Sequence, residues 1–296
     1  KTLERNPRVD PEAFIFVRDL LTGDYPPAGA TAEYRERLLK WVETFQQYTG
    51  AVMAKSVEDT TFYTYVRFVA LNEVGGDPSS IGGTIEAFHE ENARRLRTSP
   101  HALLATSTHD TKLAEDVRAR LYALSELAGE WERWTHRWHA LNARHVTMLE
   151  GQAAPDAVDE YRFYQVLLGA WPLSAEDVDD ALRARLRGYF RKAVSEAKRH
   201  TSALRPNEDY FKACDRFVDG VMAADGDVGR VSSPGGRVAV GRAGLRGQGT
   251  PPTLQNEFLA VFAPGAARVA RLGMVNSLVQ VVLKCTVPGV PDIYQG

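Results

Sequence analysis

The residues best placed to do chemistry are His109 and Asp110, which stand side by side in the stretch ALLATSTHDTKLAEDVRAR. The apolar run 103–105 is typical of a buried strand, and residues 116–121 favour a helix. A carboxylate and an imidazole at the carboxyl end of a strand, before a helix, lie where α/β barrels place their chemistry. The residues alone support equally well a helix-capping aspartate beside a loop histidine.

A second group of charged residues, Lys55, Glu58 and Asp59, follows the apolar residues 51–54, for which we predict a short buried strand. Taken alone, these charges favour an exposed ion cluster, which contributes little to stability. Phe62 to Val69 is too dense in aromatic and branched residues for a surface helix. The residues themselves therefore leave the role of this group open.

The remaining candidates argue against a metal or cofactor. His136 and His139 lie three apart, but no carboxylate stands at the right offset for zinc. Three tryptophans share one face of a predicted helix, which indicates core more often than a sugar platform; they are Trp131, Trp134 and Trp138. We expect neither metal nor cofactor.

Composition indicates an ordinary globular protein: 296 residues, 44% hydrophobic and 25% charged, with a net charge of −2. Without a basic excess we expect no nucleic-acid partner. Cys214 and Cys285 are isolated, which suits buried thiols in a reducing compartment. We see no signal peptide and no apolar run as long as a membrane span, so we expect a cytoplasmic protein without a membrane partner.

Periodic apolar residues predict mainly helices along the chain. A strand is predicted near the end, within 287–296, and Ser174 is the expected N-cap of a long helix. The glycine-rich stretch 220–252 predicts a mobile loop. The predicted helices are 11–21, 32–45, 80–97, 116–149, 155–171, 174–200 and 256–284.

Six stretches together resemble the maltooligosyl trehalose synthases, α-amylase-type enzymes of glycoside hydrolase family 13. The most specific pair is VMAKSVEDT with THDTKLAEDVRARL, because the wider amylase family shares only the His-Asp of the second. The six stretches are FQQYTGAVMAKSVEDTTFYTY, RFVALNEVGGDP, LLATSTHDTKLAEDVRARL, YRFYQVLLGAWPL, EAKRHTSALRPNEDY and TVPGVPDIYQG.

The resemblance implies a mainly α chain with short parallel strands, the C-terminal part of a (β/α)8 barrel carrying a large helical insertion. The expected regions begin with a helical lead-in over 1–48 and barrel elements over 49–121. A helical insertion over 122–265 and a last barrel helix and strand over 266–296 follow.

The resemblance also implies an isomerase that moves the reducing-end glucose of a maltooligosaccharide or α-1,4-glucan from an α-1,4 to an α,α-1,1 (trehalose) linkage. This is an intramolecular transglucosylation by retaining double displacement. It needs an Asp nucleophile, a Glu acid/base and a third Asp that holds the sugar. His109 and Asp110 match the family's seventh-strand pair, so Asp110 would be the third carboxylate and His109 a hydrogen-bond donor. We expect the other two carboxylates before Lys1, and this chain alone to be inactive.

By the same resemblance, the remaining substrate-binding residues would be Lys55, Glu58, Lys112, Lys198 and His200. The product would feed a trehalose-releasing hydrolase. The alternatives are a catalytically silent helical fragment that binds or packs without turnover, and a hydrolase of the same family.

The chain departs from the family pattern at four positions. Ser56 replaces a usual Gly, Leu113 and Ala114 replace an Arg-Ser pair, and Ala203 replaces a usual Trp. The change at 113 would remove a hydrogen-bond donor to a sugar hydroxyl, and the change at 203 would weaken a stacking platform for the sugar ring.

Overall fold

The computed structural model describes residues 10–26, 28–174, 177–223 and 256–294. The chain divides into two compact units, Lys1–Val57 and Glu58–Gly296. The expected boundaries at 48, 121 and 265 remain predictions. The predicted mobile loop at 220–252 lies, from residue 224 onward, outside the described residues.

The first unit is built from two helices, α1 (Pro11–Thr22) and α2 (Ala32–Met53). Asp10 caps α1 by accepting from Glu12 N at 2.9 Å, and Thr31 caps α2. The predicted strand at 51–54 is wrong. These residues complete α2 and enter a π-helix, Ala54–Thr61, because the N–H of Ala54 bonds to carbonyls one turn back in α2.

The second unit is mostly helical. After a short helical turn at Phe62–Thr64, its elements in chain order are α3 (Ile85–Thr98), β1 (Leu103–Ala105), α4 (Glu115–Tyr122), α5 (Ala128–Asn142), β2 (Thr147–Leu149), β3 (Gln152–Ala154), α6 (Ala157–Ala170), α7 (Asp180–Ala197), α8 (Glu208–Met222), α9 (Glu257–Thr286) and β4 (Val290–Asp292).

The predicted helices are present with shifted ends, except that the predicted stretch 116–149 divides into α4 and α5 and ends in strand β2. Ser174 is not the N-cap of α7: the helix begins after Asp179, whose carboxylate accepts from Leu182 N at 2.8 Å. The antiparallel hairpin of β2 and β3 was not predicted. Glu150 and Gly151 form its turn with φ of 49° and 81°, an arrangement that suits a tight hairpin.

The core of the second unit is aromatic. Trp138 is almost fully buried and its ring lies 5.0 Å from that of Phe262 in α9. Trp131 and Trp134 pack on Trp138, with ring centroids 5.6 and 6.0 Å apart. The expected tryptophan stripe is therefore core, as predicted from its helical spacing.

The second half of α9 contrasts with this core. Val275, Leu278 and Val282 are 59%, 68% and 59% exposed, whereas Phe262 and Val269 in the first half are buried. Among the described residues, α9 alone is long and apolar enough to cross a membrane, which corrects the expectation that no such run exists. A core helix meets the same criterion, so α9 is weak evidence for a span.

Strands β1 and β4 form a parallel pair, with Leu103 opposite Val290 and Ala105 opposite Asp292. The predicted fold class, mainly α with short parallel strands, is confirmed to this extent. The expectation of a buried β1 is wrong within the described chain, where Leu103 is 70% exposed. Among the described residues β1 pairs with β4 alone, so its other edge and its side chains are left open.

Candidate functional site

The candidate site lies at the carboxyl ends of β1 and β4. Because the two strands are parallel, the segments that follow them, from Thr106 and from Ile293, leave the same edge of the sheet. A cleft of about 540 Å³ opens there. Its lining includes Thr108, His109, Glu115, Lys284 and Tyr294.

The turn Thr108–Lys112, here called the His-Asp turn, presents the two predicted chemical groups. Thr108 N donates to Thr111 Oγ1 at 2.6 Å, and Thr111 N donates to Thr108 O at 3.3 Å. These bonds fix the backbone but leave the Asp110 side chain 57% exposed. Both Asp110 and His109 are therefore accessible to a ligand.

Lys112 is the buried cation of this turn. Its side chain is 7% exposed, and its Nζ lies 2.7 Å from Asp59 Oδ1 and 3.9 Å from Asp110 Oδ1. Glu58, the predicted substrate-binding carboxylate of VMAKSVEDT, accepts from Gly75 N at 3.3 Å. The carboxylate that pairs with Lys112 is that of Asp59, which was not among the predicted site residues.

A second carboxylate that sequence analysis missed is that of Glu73. It accepts from the backbone N–H of Lys112 at 2.7 Å and of Leu113 at 3.2 Å, and Arg118 Nε lies 4.0 Å away. The only sequence signal was its place in RFVALNEVGGDP, one of the family-like stretches.

Helix α6 holds the segment that carries Asp59 and Glu73. The buried Gln165 accepts from Val69 N at 2.9 Å and donates to Val66 O at 2.8 Å. The buried Arg162 donates to Phe62 O at 3.0 Å. These hydrogen bonds from buried side chains to backbone groups fix the segment against α6.

Lys198 and His200, both predicted substrate-binding residues, belong to different groups. Lys198 ends α7 in the left-handed conformation, and its Nζ donates to Thr60 Oγ1 at 2.6 Å, next to Asp59. His200 Nε2 instead lies 2.8 Å from Asp156 Oδ2, and its ring stacks on Tyr210. Of the two, only Lys198 contacts the VEDT segment.

His200 belongs to the Asp156 cluster, which comprises Asp156, Asp159, Arg199, His200 and Tyr210. Asp156 caps α6 and accepts from Arg199 Nη2 at 2.6 Å, and Tyr210 donates to Asp159 Oδ2 at 2.6 Å. Asp156, Asp159 and His200 bring their possible metal-ligand atoms within 4.8 Å of one another. Since the Arg199 guanidinium already holds Asp156, these atoms are better suited to an internal ion-pair network.

The pKa values of the two carboxylates in this cluster are shifted in opposite directions. Burial acts to raise the pKa of Asp156, but hydrogen bonds from His200 and Asp159 N and the charge of Arg199 outweigh it and lower the pKa. Burial raises the pKa of Asp159, with only partial compensation by the Tyr210 hydroxyl. Desolvation by burial is also the main cause that raises the pKa of Tyr210.

Lys55 lies in the π-helix, in the first unit, and is exposed. Ser56, the neighbouring departure from the family pattern, donates to Val52 O at 2.7 Å. The expected role of Lys55 in substrate binding therefore stays a prediction.

Comparison with known proteins gives one consistent result. A curated Mycobacterium tuberculosis protein, described as a candidate maltooligosyl trehalose synthase, is 37% identical over 257 residues, which is 85% of this chain and 27% of that protein. No protein-family model matches the chain.

Solved structures agree with this result. The maltooligosyltrehalose synthase of Arthrobacter ramosus is 30% identical with a TM-score of 0.64, over 90% of this chain and 30% of that one. A hypothetical maltooligosyl trehalose synthase of Sulfolobus tokodaii is 29% identical with a TM-score of 0.66, over 92% and 34%. The chain is a homologue of one segment of the maltooligosyl trehalose synthases.

The chain spans roughly a quarter to a third of the length of the maltooligosyl trehalose synthases that it matches. The departures from the family pattern have local consequences. Leu113 is buried in the core, and Ala114 occupies the N-cap position of α4 without a side-chain hydrogen bond. Ala203 is exposed in the bend after α7.

Proposed function

We propose that this chain is part of an isomerase that moves the reducing-end glucose of a maltooligosaccharide or α-1,4-glucan from an α-1,4 to an α,α-1,1 linkage. The observation that carries the proposal is the 37% identity over 85% of the chain to a protein described as such a synthase. The position of His109 and Asp110 at the carboxyl end of β1 supports it.

In this proposal Asp110 is the third carboxylate, which holds sugar hydroxyls as the ring distorts. Its exposure leaves both carboxylate oxygens available to accept hydrogen bonds from those hydroxyls. His109 donates to the same sugar from the cleft. By the resemblance neither residue is the nucleophile or the proton donor, and we expect the two carboxylates that serve those steps to lie outside this chain.

The proposed architecture is the C-terminal part of a (β/α)8 barrel of glycoside hydrolase family 13, with β1 and β4 as neighbouring barrel strands. Two features support it: the parallel register of the pair and the open apolar face of α9. A helix that is apolar all round requires cover, which the remaining strands of a barrel would provide. This chain by itself would then be inactive.

The proposal extends to the other expected residues and partners. Lys198, next to Asp59, and Glu58, Lys55 and His200 would bind the glucan. The enzyme would work in the cytoplasm without metal, nucleic acid or membrane, and a trehalose-releasing hydrolase would use its product.

The test uses the complete gene product that contains these 296 residues, incubated with maltopentaose. We expect loss of reducing ends without release of glucose. Glucose as the main product would indicate a hydrolase, and unchanged maltopentaose would indicate a silent protein; either result contradicts the proposal.

Asp110→Asn tests the site assignment in the same assay. Because the amide cannot carry the charge that grips the distorted sugar, we expect kcat to fall about 1,000-fold with no change in the unfolding midpoint. Asp180→Asn is the matched control, since Asp180 also pairs with a basic neighbour at 3.3 Å but lies in the first turn of α7. Turnover of Asp110→Asn within a few fold of wild type would exclude the assigned role.

A further inference from the structure

We infer that Glu73 is a positioning residue for the His-Asp turn, acting on Asp110 and Lys112 through the backbone. The catalytic consequence rests on the proposed function, but the structural part does not. Glu73 lies 39 residues before Lys112 in the chain, and its carboxylate joins two segments that local sequence does not connect.

The carboxylate of Glu73 accepts three backbone hydrogen bonds, two of them from the end of the His-Asp turn. One carboxylate oxygen accepts from Lys112 N at 2.7 Å and also from Val74 N at 3.0 Å, and the other accepts from Leu113 N at 3.2 Å. Hydrogen bonds to a charged acceptor are about twice as strong as neutral ones. With its side chain 13% exposed, Glu73 is largely shielded from competing water.

The His-Asp turn depends on this outside anchor. Its internal hydrogen bonds, between Thr108 and Thr111, set the local shape but not the direction in which the turn points. Ala114, which follows, has no side chain that could cap α4. The direction of Asp110 is therefore fixed by the two bonds from Glu73 and by the Lys112–Asp59 pair.

The anchor is itself held in place from both sides. Glu73 follows the segment that Gln165 and Arg162 pin to α6. On its other side, Arg118 of α4 approaches at 4.0 Å and donates from its guanidinium to Thr106 O, at the end of β1. Glu73 thus connects the helical part of the unit to the strand end where Asp110 stands.

Two substitutions separate this role from general stability. Glu73→Gln keeps one oxygen but replaces the second with an NH₂ group, which cannot accept from a backbone N–H. Glu73→Ala removes both acceptors. Asp179→Ala is the matched control because it deletes a carboxylate cap, at 2.8 Å from Leu182 N, far along the chain in α7.

The structural arm measures amide hydrogen exchange by NMR in the 296-residue chain. We expect protection of the Lys112 or Leu113 amide to fall about 10-fold in Glu73→Gln, as for a lost hydrogen bond to a charged group. Asp179→Ala should leave both amides protected while lowering the unfolding midpoint. Unchanged protection of both amides in Glu73→Gln overturns the inference.

The catalytic arm uses the complete gene product with maltopentaose. A misplaced Asp110 weakens transition-state contacts, so we expect Glu73→Gln to lose about 10- to 100-fold in kcat with KM changed less, and Asp179→Ala to keep kcat. Glu73→Gln combined with Asp110→Asn should be no slower than Asp110→Asn alone. Additive losses, or an unchanged kcat in Glu73→Gln, overturn the positioning role.

The two arms keep the two proposals apart. If the wild-type gene product shows no transglucosylation, the proposed function fails and the exchange measurement alone decides on Glu73. If wild type is active, the kcat of Glu73→Gln decides whether these hydrogen bonds matter for catalysis.

Discussion

The His-Asp turn and the Asp156 cluster are built from the same kinds of residue, yet they differ in how completely those residues are bonded. Asp156 accepts from two side chains, Arg199 and His200, and from the backbone N–H groups of α6. Asp110 is 57% exposed, and the nearest basic group that it meets lies 3.9 Å away. A carboxylate whose oxygens are fully hydrogen-bonded stabilises the fold, whereas an exposed carboxylate such as Asp110, beside the cleft residue His109, is available to a substrate.

Removing the two carboxylates should therefore have opposite kinds of effect. Asp156→Ala deletes a helix cap and leaves Arg199 and His200 without their partner, which should cost about 3 kcal/mol of unfolding free energy. Asp110→Asn should change it by less than about 0.5 kcal/mol. Urea unfolding of the chain measures both, and equal losses would contradict the comparison.

Lys112 belongs to the His-Asp turn, but its side chain is buried and paired like those of the Asp156 cluster. Lys112→Met removes the ammonium that pairs with the carboxylate of Asp59, whose side chain is 17% exposed, and should cost about 2 kcal/mol. Lys212→Met is the control, since Lys212 pairs with Asp209 at 3.3 Å on the surface, where such pairs contribute less than about 0.5 kcal/mol. Similar unfolding midpoints for the two variants would show that burial does not strengthen the Lys112 pair.

The sequence predicted most elements of the fold because helices and strands leave local patterns. The helices and the tryptophan stripe follow from apolar spacing, whereas the parallel pairing of the short strands was expected from the family resemblance and the one predicted cap, Ser174, was wrong. The β2–β3 hairpin was missed since Glu150-Gly151 is not among the common turn pairs.

The site was predicted only in part, for a different reason. His109 and Asp110 are neighbours in sequence and directly follow a strand, so local pattern and resemblance both indicated them. Asp59 and Glu73 reach Lys112 across 53 and 39 residues, and such contacts leave no local signal. Likewise, nothing local shows that His200 bonds to Asp156.

Ala114→Ser should stabilise the end of the His-Asp turn, because it gives α4 the side-chain N-cap that it lacks. Ala114 has N-cap angles of φ −57° and ψ 151° but no side-chain acceptor. A serine hydroxyl there could accept from a first-turn N–H and should stabilise the chain by about 1 kcal/mol. Ala114→Val, which adds no acceptor, is the control. A gain from valine equal to that from serine would mean that burial, not capping, is responsible.

The smallest expected effect is the pH dependence within the Asp156 cluster, where two contributions oppose each other. The pKa of Asp156 is lowered on folding, so its stabilisation is present above the ordinary value of 3.8 and is lost as pH falls through the folded value. The pKa of Asp159 is raised, so its charged form destabilises the fold as pH rises from 3.8 through the folded value.

Unfolding free energies of wild type, Asp156→Asn and Asp159→Asn between about pH 2 and pH 7 separate the two contributions. The advantage of wild type over Asp156→Asn should shrink toward low pH, and that over Asp159→Asn should shrink toward neutral pH. Parallel pH profiles for the three proteins would show that neither carboxylate changes its proton affinity on folding, and the distinction between the Asp156 cluster and the His-Asp turn would then rest on exposure alone.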